Sequence, residues 1–266
     1  MIRYLALLFA ALTSVAPAVA HDTWVQTNAA IVRTGDAVYI DLRLGNHGND
    51  HRDFKLASKL SLESVGAFDV FAPGGKSYDL KPDLIDLGYA PKEGYYTSKF
   101  VPGRPGVYVA AQQSDAVVNH GQPVRSIRSA KTYFLVSDLL DKVPANLAGY
   151  EKPLGHALEL VPEASPVAPM GPGTAIKVRL LFHGKPLTGT KVSFVPRGVT
   201  LKDGTDPDYE RTTDAAGRAG FTPKTGNFYL VVAHYKTGVK GEKYEDTQYA
   251  ATLAVLVPEK CPCCGD

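Results

Sequence analysis

Short runs of strict apolar–polar alternation recur along this chain, and the three-to-four-residue apolar spacing of an amphipathic helix hardly appears. Residues 37–44 (AVYIDLRL) set the pattern. Val38, Ile40, Leu42 and Leu44 share one face of a predicted strand, and Tyr39, Asp41 and Arg43 take the other. Phe68 to Phe71 runs into Pro73-Gly74-Gly75, a turn, and a second strand resumes at Tyr78. The stretches 95–100 and 106–112 flank Pro102-Gly103-Arg104-Pro105-Gly106 and are predicted to form a hairpin. Residues 130–136 (AKTYFLV) close the first series. A second series follows at 157–162, 175–182, 191–195, 227–234 and 250–257, with turns at 183–186 and 215–217. Many short strands separated by turns predict an all-β protein built from sandwiches.

The punctuation divides the chain. The expected layout is a signal peptide at 1–20, an N-terminal β-sandwich domain at 21–138 and a linker at 139–155. A C-terminal β-sandwich of prealbumin or transthyretin type spans 156–258, and a Cys-rich tail covers 259–266. The signal is carried by Arg3, the short apolar run 4–12 (YLALLFAAL) and the A-x-A site Ala18-Val19-Ala20. That run is too short to span a bilayer, which takes about 20 residues. Export to the periplasm or beyond is therefore expected. The formal net charge of +2 argues against a nucleic-acid partner, which calls for a basic patch or stripe.

Cleavage at 20 would make His21 the first residue. An N-terminal histidine carries an α-amine and an imidazole nitrogen close enough to chelate one metal ion. The amine has a pKa of roughly 7.7–8.0 and so deprotonates far more easily than lysine, and metal ligands must be deprotonated. Trp24 and Val25 should tie this terminus to the first sheet. His47 and His51 lie in the turn-rich loop Gly45-Asn46-His47-Gly48-Asn49-Asp50-His51, where Gly48 disfavours a helix. Imidazole ligands and an ordinary polar turn both fit that loop. His234 ends the apolar strand 230–234 on the face of Leu230 and Val232, where a hydrogen-bonded core histidine is the ordinary alternative. His120 sits in a predicted turn, His183 in another, and His156 at the domain boundary. Candidate metal ligands are therefore His21, His47, His51, His120 and His234.

Cys261, Cys263 and Cys264 all lie in the last six residues, so none staples a core. Metal capture, a Cys261–Cys264 disulfide and an intermolecular link are all open to them. Nucleophilic motifs are missing: there is no G-x-S-x-G elbow, P-loop or H-E-x-x-H.

Several segments occur in a telling order: HDTWV, VRTGDAVYIDLRLGN, GHALELVPEASPV, LLFHGKPLTGTKVSF, TTDAAGRAGF and GNFYLVVAHY. Together they resemble the exported DUF4198 family, related to the NikK-type accessory component of nickel and cobalt uptake. The resemblance implies an exported two-domain β protein that handles a divalent transition metal, nickel or cobalt, and serves a membrane transporter or outer-membrane receptor; it implies no known catalytic reaction. Copper and zinc also suit its nitrogen donors. The GNHGNDH loop and CPCCGD tail depart from the family pattern. Two other functions stay open: a copper-dependent oxidative enzyme with an N-terminal histidine brace, and an adhesion or scaffold module without metal.

Overall fold

The structure is a computed structural model that describes residues 21–47, 60–88, 93–119, 121–140, 143 and 147–260. His51, His120, the cysteines and residues 1–20 lie outside this set. The first strands are β1 (Asp22–Thr27), β2 (Ile31–Arg33), β3 (Val38–Gly45), β4 (Ala67–Phe71), β5 (Ser77–Asp79) and β6 (Ile85–Asp86). Next come β7 (Tyr96–Phe100), β8 (Gly106–Asn119), β9 (Pro123–Ser137), β10 (Leu158–Pro162), β11 (Ile176–Phe182) and β12 (Lys185–Pro186). The last are β13 (Lys191–Pro196), β14 (Glu210–Thr212), β15 (Arg218–Phe221), β16 (Asn227–Lys236) and β17 (Asp246–Val257).

These strands make an all-β sandwich of three sheets. A nine-stranded sheet runs β14-β13-β16-β17-β9-β8-β4-β5, with β2 also on β9. One four-stranded sheet runs β1-β3-β7-β6, and another joins β10, β11, β12 and β15. The central pair β8–β9 shows why both small sheets can pack on one large one. Tyr108, Ala110, Phe134 and Val136 point into a core with Val25, Ile40 and Leu42 of the first small sheet. Their neighbours Val107, Val109, Tyr133 and Leu135 point into a second core with Leu160, Val178 and Leu180. Period-two alternation thus feeds two cores from opposite faces of the same strands. β17 pairs with β9 in parallel, from Asp246↔Val124 to Ala254↔Thr132, so one sheet runs through both halves of the chain.

The alternation of 37–44 is borne out: Val38, Ile40, Leu42 and Leu44 are all buried in the first core. The β4–β5 turn is also where Pro73-Gly74-Gly75 places it. The hairpin expected across Pro102–Gly106 is not formed. β7 pairs with β3 and β6, whereas β8 pairs with β4 and β9. Two prolines and two glycines suit a crossing between layers as well as a tight turn, because neither use needs backbone donors from proline. His183 and Gly184 form the two-residue β11–β12 turn with φ of 48° and 76°. Positive φ at both central positions is what a hairpin turn of this length favours. Gly217, which ends the DAAG turn, lies so close to β11 that a Cβ would meet the Leu180 carbonyl oxygen at 2.6 Å.

Candidate functional site

β1 is the edge strand of the first small sheet, and it crosses the large sheet above β9 and β17. Its side chains part to two sides. Val25 enters the first core, and Trp24 turns the other way onto Leu230, Val232 and Ala254. The segment that follows His21, expected to be held by these two residues, is held. Thr252 Oγ1 donates to the Thr23 carbonyl at 2.7 Å, and Arg128 Nη1 donates to Thr23 Oγ1 at 3.2 Å. His21 immediately precedes this strand and is partly buried.

One residue along, Asp22 reaches across to β16. Its Oδ1 accepts from His234 Nε2 at 2.7 Å. A carboxylate only accepts, so Nε2 bears the proton, and in the neutral ring Nδ1 bears the lone pair. The Asp22 charge holds the imidazolium above the usual histidine value, against the opposing effects of burial and of Arg128 and Lys191. The His234 side chain remains 48% exposed. His234 therefore lies on the face of Leu230 and Val232, as the alternation predicts, but at the open rim beyond them rather than in the core.

His47 lies two residues past Gly45, the partner of Asp22 in the β1–β3 ladder. It is buried, with 5% exposure. Its Nδ1 lies 3.1 Å from the Val195 carbonyl, which can only accept, so this nitrogen donates. The ring stands edge-on to Trp24, centroids 5.5 Å apart. His47 thus pins the end of β3 to β13, where a solvated polar turn was the ordinary expectation.

The structure therefore gathers three of the five sequence candidates, His21, His47 and His234, around the start of β1. His51 and His120 fall outside the described residues. No group of three or more His, Cys, Asp or Glu side chains stands ready to hold a metal among the described residues. His183 is an exposed turn residue packed on Phe182 and Tyr249, as expected of it. His156 does pack at the boundary, in a cluster that sequence reasoning missed. Lys131 of β9 and Glu159 of β10 form an ion pair at 2.8 Å, with side chains only 1% and 2% exposed. Glu159 also accepts from the backbone N–H groups of Leu154, Gly155 and His156. Burial pushes the His156 imidazole down to about 4, and the Lys131 charge pushes the same way. Lys131 shares a face with Tyr133 and Leu135 in the AKTYFLV strand, so its burial was written in the alternation. Asp22 and Arg128 were also missed. No local pattern marks them, because they meet His234 only through strand pairing.

Comparisons with known proteins place this geometry in context. A mutant Salmonella alpha-2-macroglobulin shares 14% identity over 92% of this chain and 15% of its own, with a TM-score of 0.27. A DUF4785 family protein from Legionella pneumophila shares 13% over 79% of this chain and 51% of its own, with a TM-score of 0.26. The mouse nectin-like molecule 4 ectodomain shares 10% over 89% and 64%, with a TM-score of 0.22. This chain spans less than two thirds of each of these proteins. No curated protein matches it. Residues 18–237 do match one family, described as a domain of unknown function, and the chain belongs to that family, DUF4198.

Proposed function

We propose that this chain is exported, is cleaved before His21 and captures a divalent transition metal, nickel or cobalt, for uptake or homeostasis. The observation that carries the reading is the Asp22–His234 contact at 2.7 Å, which holds the residue after His21 against a half-exposed histidine from the other half of the chain. Metal-binding histidines commonly donate their second ring N–H to a carboxylate, which fixes the tautomer and raises basicity. Asp22 would play that part for His234, leaving Nδ1 as the ligand atom. The α-amine and imidazole of His21 would supply two further nitrogens one residue away. His47, buried against Trp24, is the sequence candidate for a fourth. Such a set is assembled only after cleavage, since the amine does not exist before it. Nitrogen donors in this number suit nickel, cobalt, copper and zinc, with affinity rising toward copper. An exchangeable site of this kind fits a carrier that passes its ion to a membrane transporter or outer-membrane receptor.

The test is calorimetric titration of processed protein, its N-terminus verified by mass, with nickel, cobalt, copper and zinc. A tight one-to-one site is expected, and an extra residue before His21 should abolish it. Equal binding with and without that residue overturns the reading.

A further inference from the structure

The candidate metal site borders a feature that a bare cation would not favour. In the large sheet His234 pairs with Ala250, and Ala250 pairs with Arg128. Paired residues share a face, so an imidazole and a guanidinium rise from the same side with one methyl group between them. Strands lie about 4.8 Å apart, which puts their Cα atoms roughly 10 Å apart. β1 closes the back of this notch. Asp22 holds His234, and Thr23 Oγ1 accepts from Arg128 Nη1. Ala250 is only partly buried, so the floor opens to solvent.

Arg128 is unlike several other arginines of this chain. Arg43 pairs with Asp41, Arg125 with Asp115 and Arg218 with Glu163. Arg128 instead donates to two neutral hydroxyls, Ser126 Oγ at 3.0 Å and Thr23 Oγ1 at 3.2 Å. The rest of its guanidinium has no protein acceptor among the described residues. Burial pulls it below the usual arginine value, and the nearby Asp22 charge acts against that pull. Asp22, however, is already engaged by His234. On the other side of His234, Lys191 is answered by Glu210 at 3.0 Å. Arg128 is thus a held, partly buried cation with donors to spare, in a fork that matches carboxylate geometry. A dication bound at His21 and His234 would feel it as a like charge. A metal that arrives already wrapped in carboxylates would find it an anchor.

We propose that the notch between His234 and Arg128 takes its metal as a chelate with a small polycarboxylate, Arg128 receiving a carboxylate while the histidines complete the metal's coordination. This rests on the metal-capture reading above.

The chain has a single tryptophan, Trp24, buried beside His47 and two residues from Asp22, so bound nickel should quench it. Processed protein is titrated with nickel, with preformed nickel–citrate and with citrate alone, following Trp24 fluorescence and native mass. Nickel–citrate should bind about tenfold tighter than nickel, the worth of one charge-assisted contact, and give a ternary mass. Citrate alone should bind at least tenfold more weakly than nickel–citrate. Arg128→Gln should remove the preference and the ternary mass without weakening nickel itself, which binds as tightly or somewhat more tightly once the like charge is gone. Arg128→Lys, which keeps the charge, should recover part of the preference, and thermal melts confirm that both variants fold. If the wild type binds nickel but loses it to citrate, or if citrate alone binds as well as the chelate, the proposal fails and metal capture stands. If Arg128→Gln weakens nickel and nickel–citrate equally, the proposal also fails. If the wild type binds neither metal form, both readings fail.

Discussion

Two histidine–carboxylate clusters join the halves of this protein, and they are built on opposite principles. At the Lys131–Glu159–His156 cluster the side chains are 2% exposed or less in the ion pair, and Glu159 gathers four donors: the Lys131 ammonium and three backbone N–H groups. At the Asp22–His234 contact one ring is half exposed and its cationic neighbour, Arg128, is held among the described residues only by hydroxyls. The first arrangement fills the Glu159 carboxylate with donors, keeps the ion pair away from solvent and ties β9 to β10. The second keeps a histidine at a rim where an ion can arrive and leave. A buried cluster whose carboxylate is filled has the form of a staple, and an open, under-committed one has the form that the proposed exchange site needs.

The sharpest way to break this contrast is Glu159→Ala. It strands the Lys131 ammonium in the interior, and removing one partner of a buried pair costs about 3–5 kcal/mol. Urea unfolding should show that loss, and metal affinity of the surviving folded fraction should not change. Adding Lys131→Met to Glu159→Ala should recover much of the stability, because the stranded charge goes with it. A cost under about 1 kcal/mol for Glu159→Ala alone would show that the cluster is not a staple.

Next in size is an acid limb. The His156 imidazole, pushed down to about 4, is depressed below its unfolded value near 6.5. The unfolded chain then binds more protons between these limits, so stability is complete above about pH 6.5 and falls as pH drops toward 4. The slope is at most about 1.4 kcal/mol per pH unit for one proton. His156→Gln should flatten this limb in a series of unfolding curves from pH 7 to 4. An unchanged limb would assign it to other groups.

How much of this contrast the sequence disclosed follows from the range of the forces involved. Strand faces depend on local alternation, so residues 37–44 and the burial of Leu230 and Val232 were readable in advance. Turn chemistry is local too, and His183-Gly184 fell where the motif put it. The partners of β7 and β8 were not readable. Apolar alternation states that a strand has an inner face but not which layer it joins, and Pro102–Gly106 serves a crossing as well as a turn. The candidate site was half legible for the same reason. His21 and His234 declare themselves by residue type and position, whereas Asp22 and Arg128 become site residues only because β1 lies over β9 and β17. Their hydrogen bonds link positions 212 and 105 residues apart.

At the open cluster the larger effect belongs to His21. Its replacement by Ala removes the imidazole arm of the proposed chelate and should weaken nickel binding about 100-fold, or 2.7 kcal/mol. Stability should stay within about 0.5 kcal/mol, as at other sites away from the core. The same change at His183, an exposed turn residue outside the notch, should leave nickel affinity as it was. Equal losses at the two positions would dissolve the distinction between rim and turn.

The smallest effect discriminates best between staple and exchange site. Asp22→Asn keeps the shape of the side chain and a hydrogen-bond acceptor for His234 Nε2, but removes the charge. Because the His234 ring is half in water, the lost ion pair should lower stability by less than about 1 kcal/mol, and less again in high salt. A carboxylate that orients a metal-binding histidine behaves differently, and its loss weakens metal affinity by about 10–100-fold. Nickel binding should therefore fall about tenfold while the unfolding midpoint barely moves. The reverse outcome, a clear loss of stability with unchanged nickel binding, would make the Asp22–His234 contact a second staple. The two clusters would then differ in burial but not in purpose.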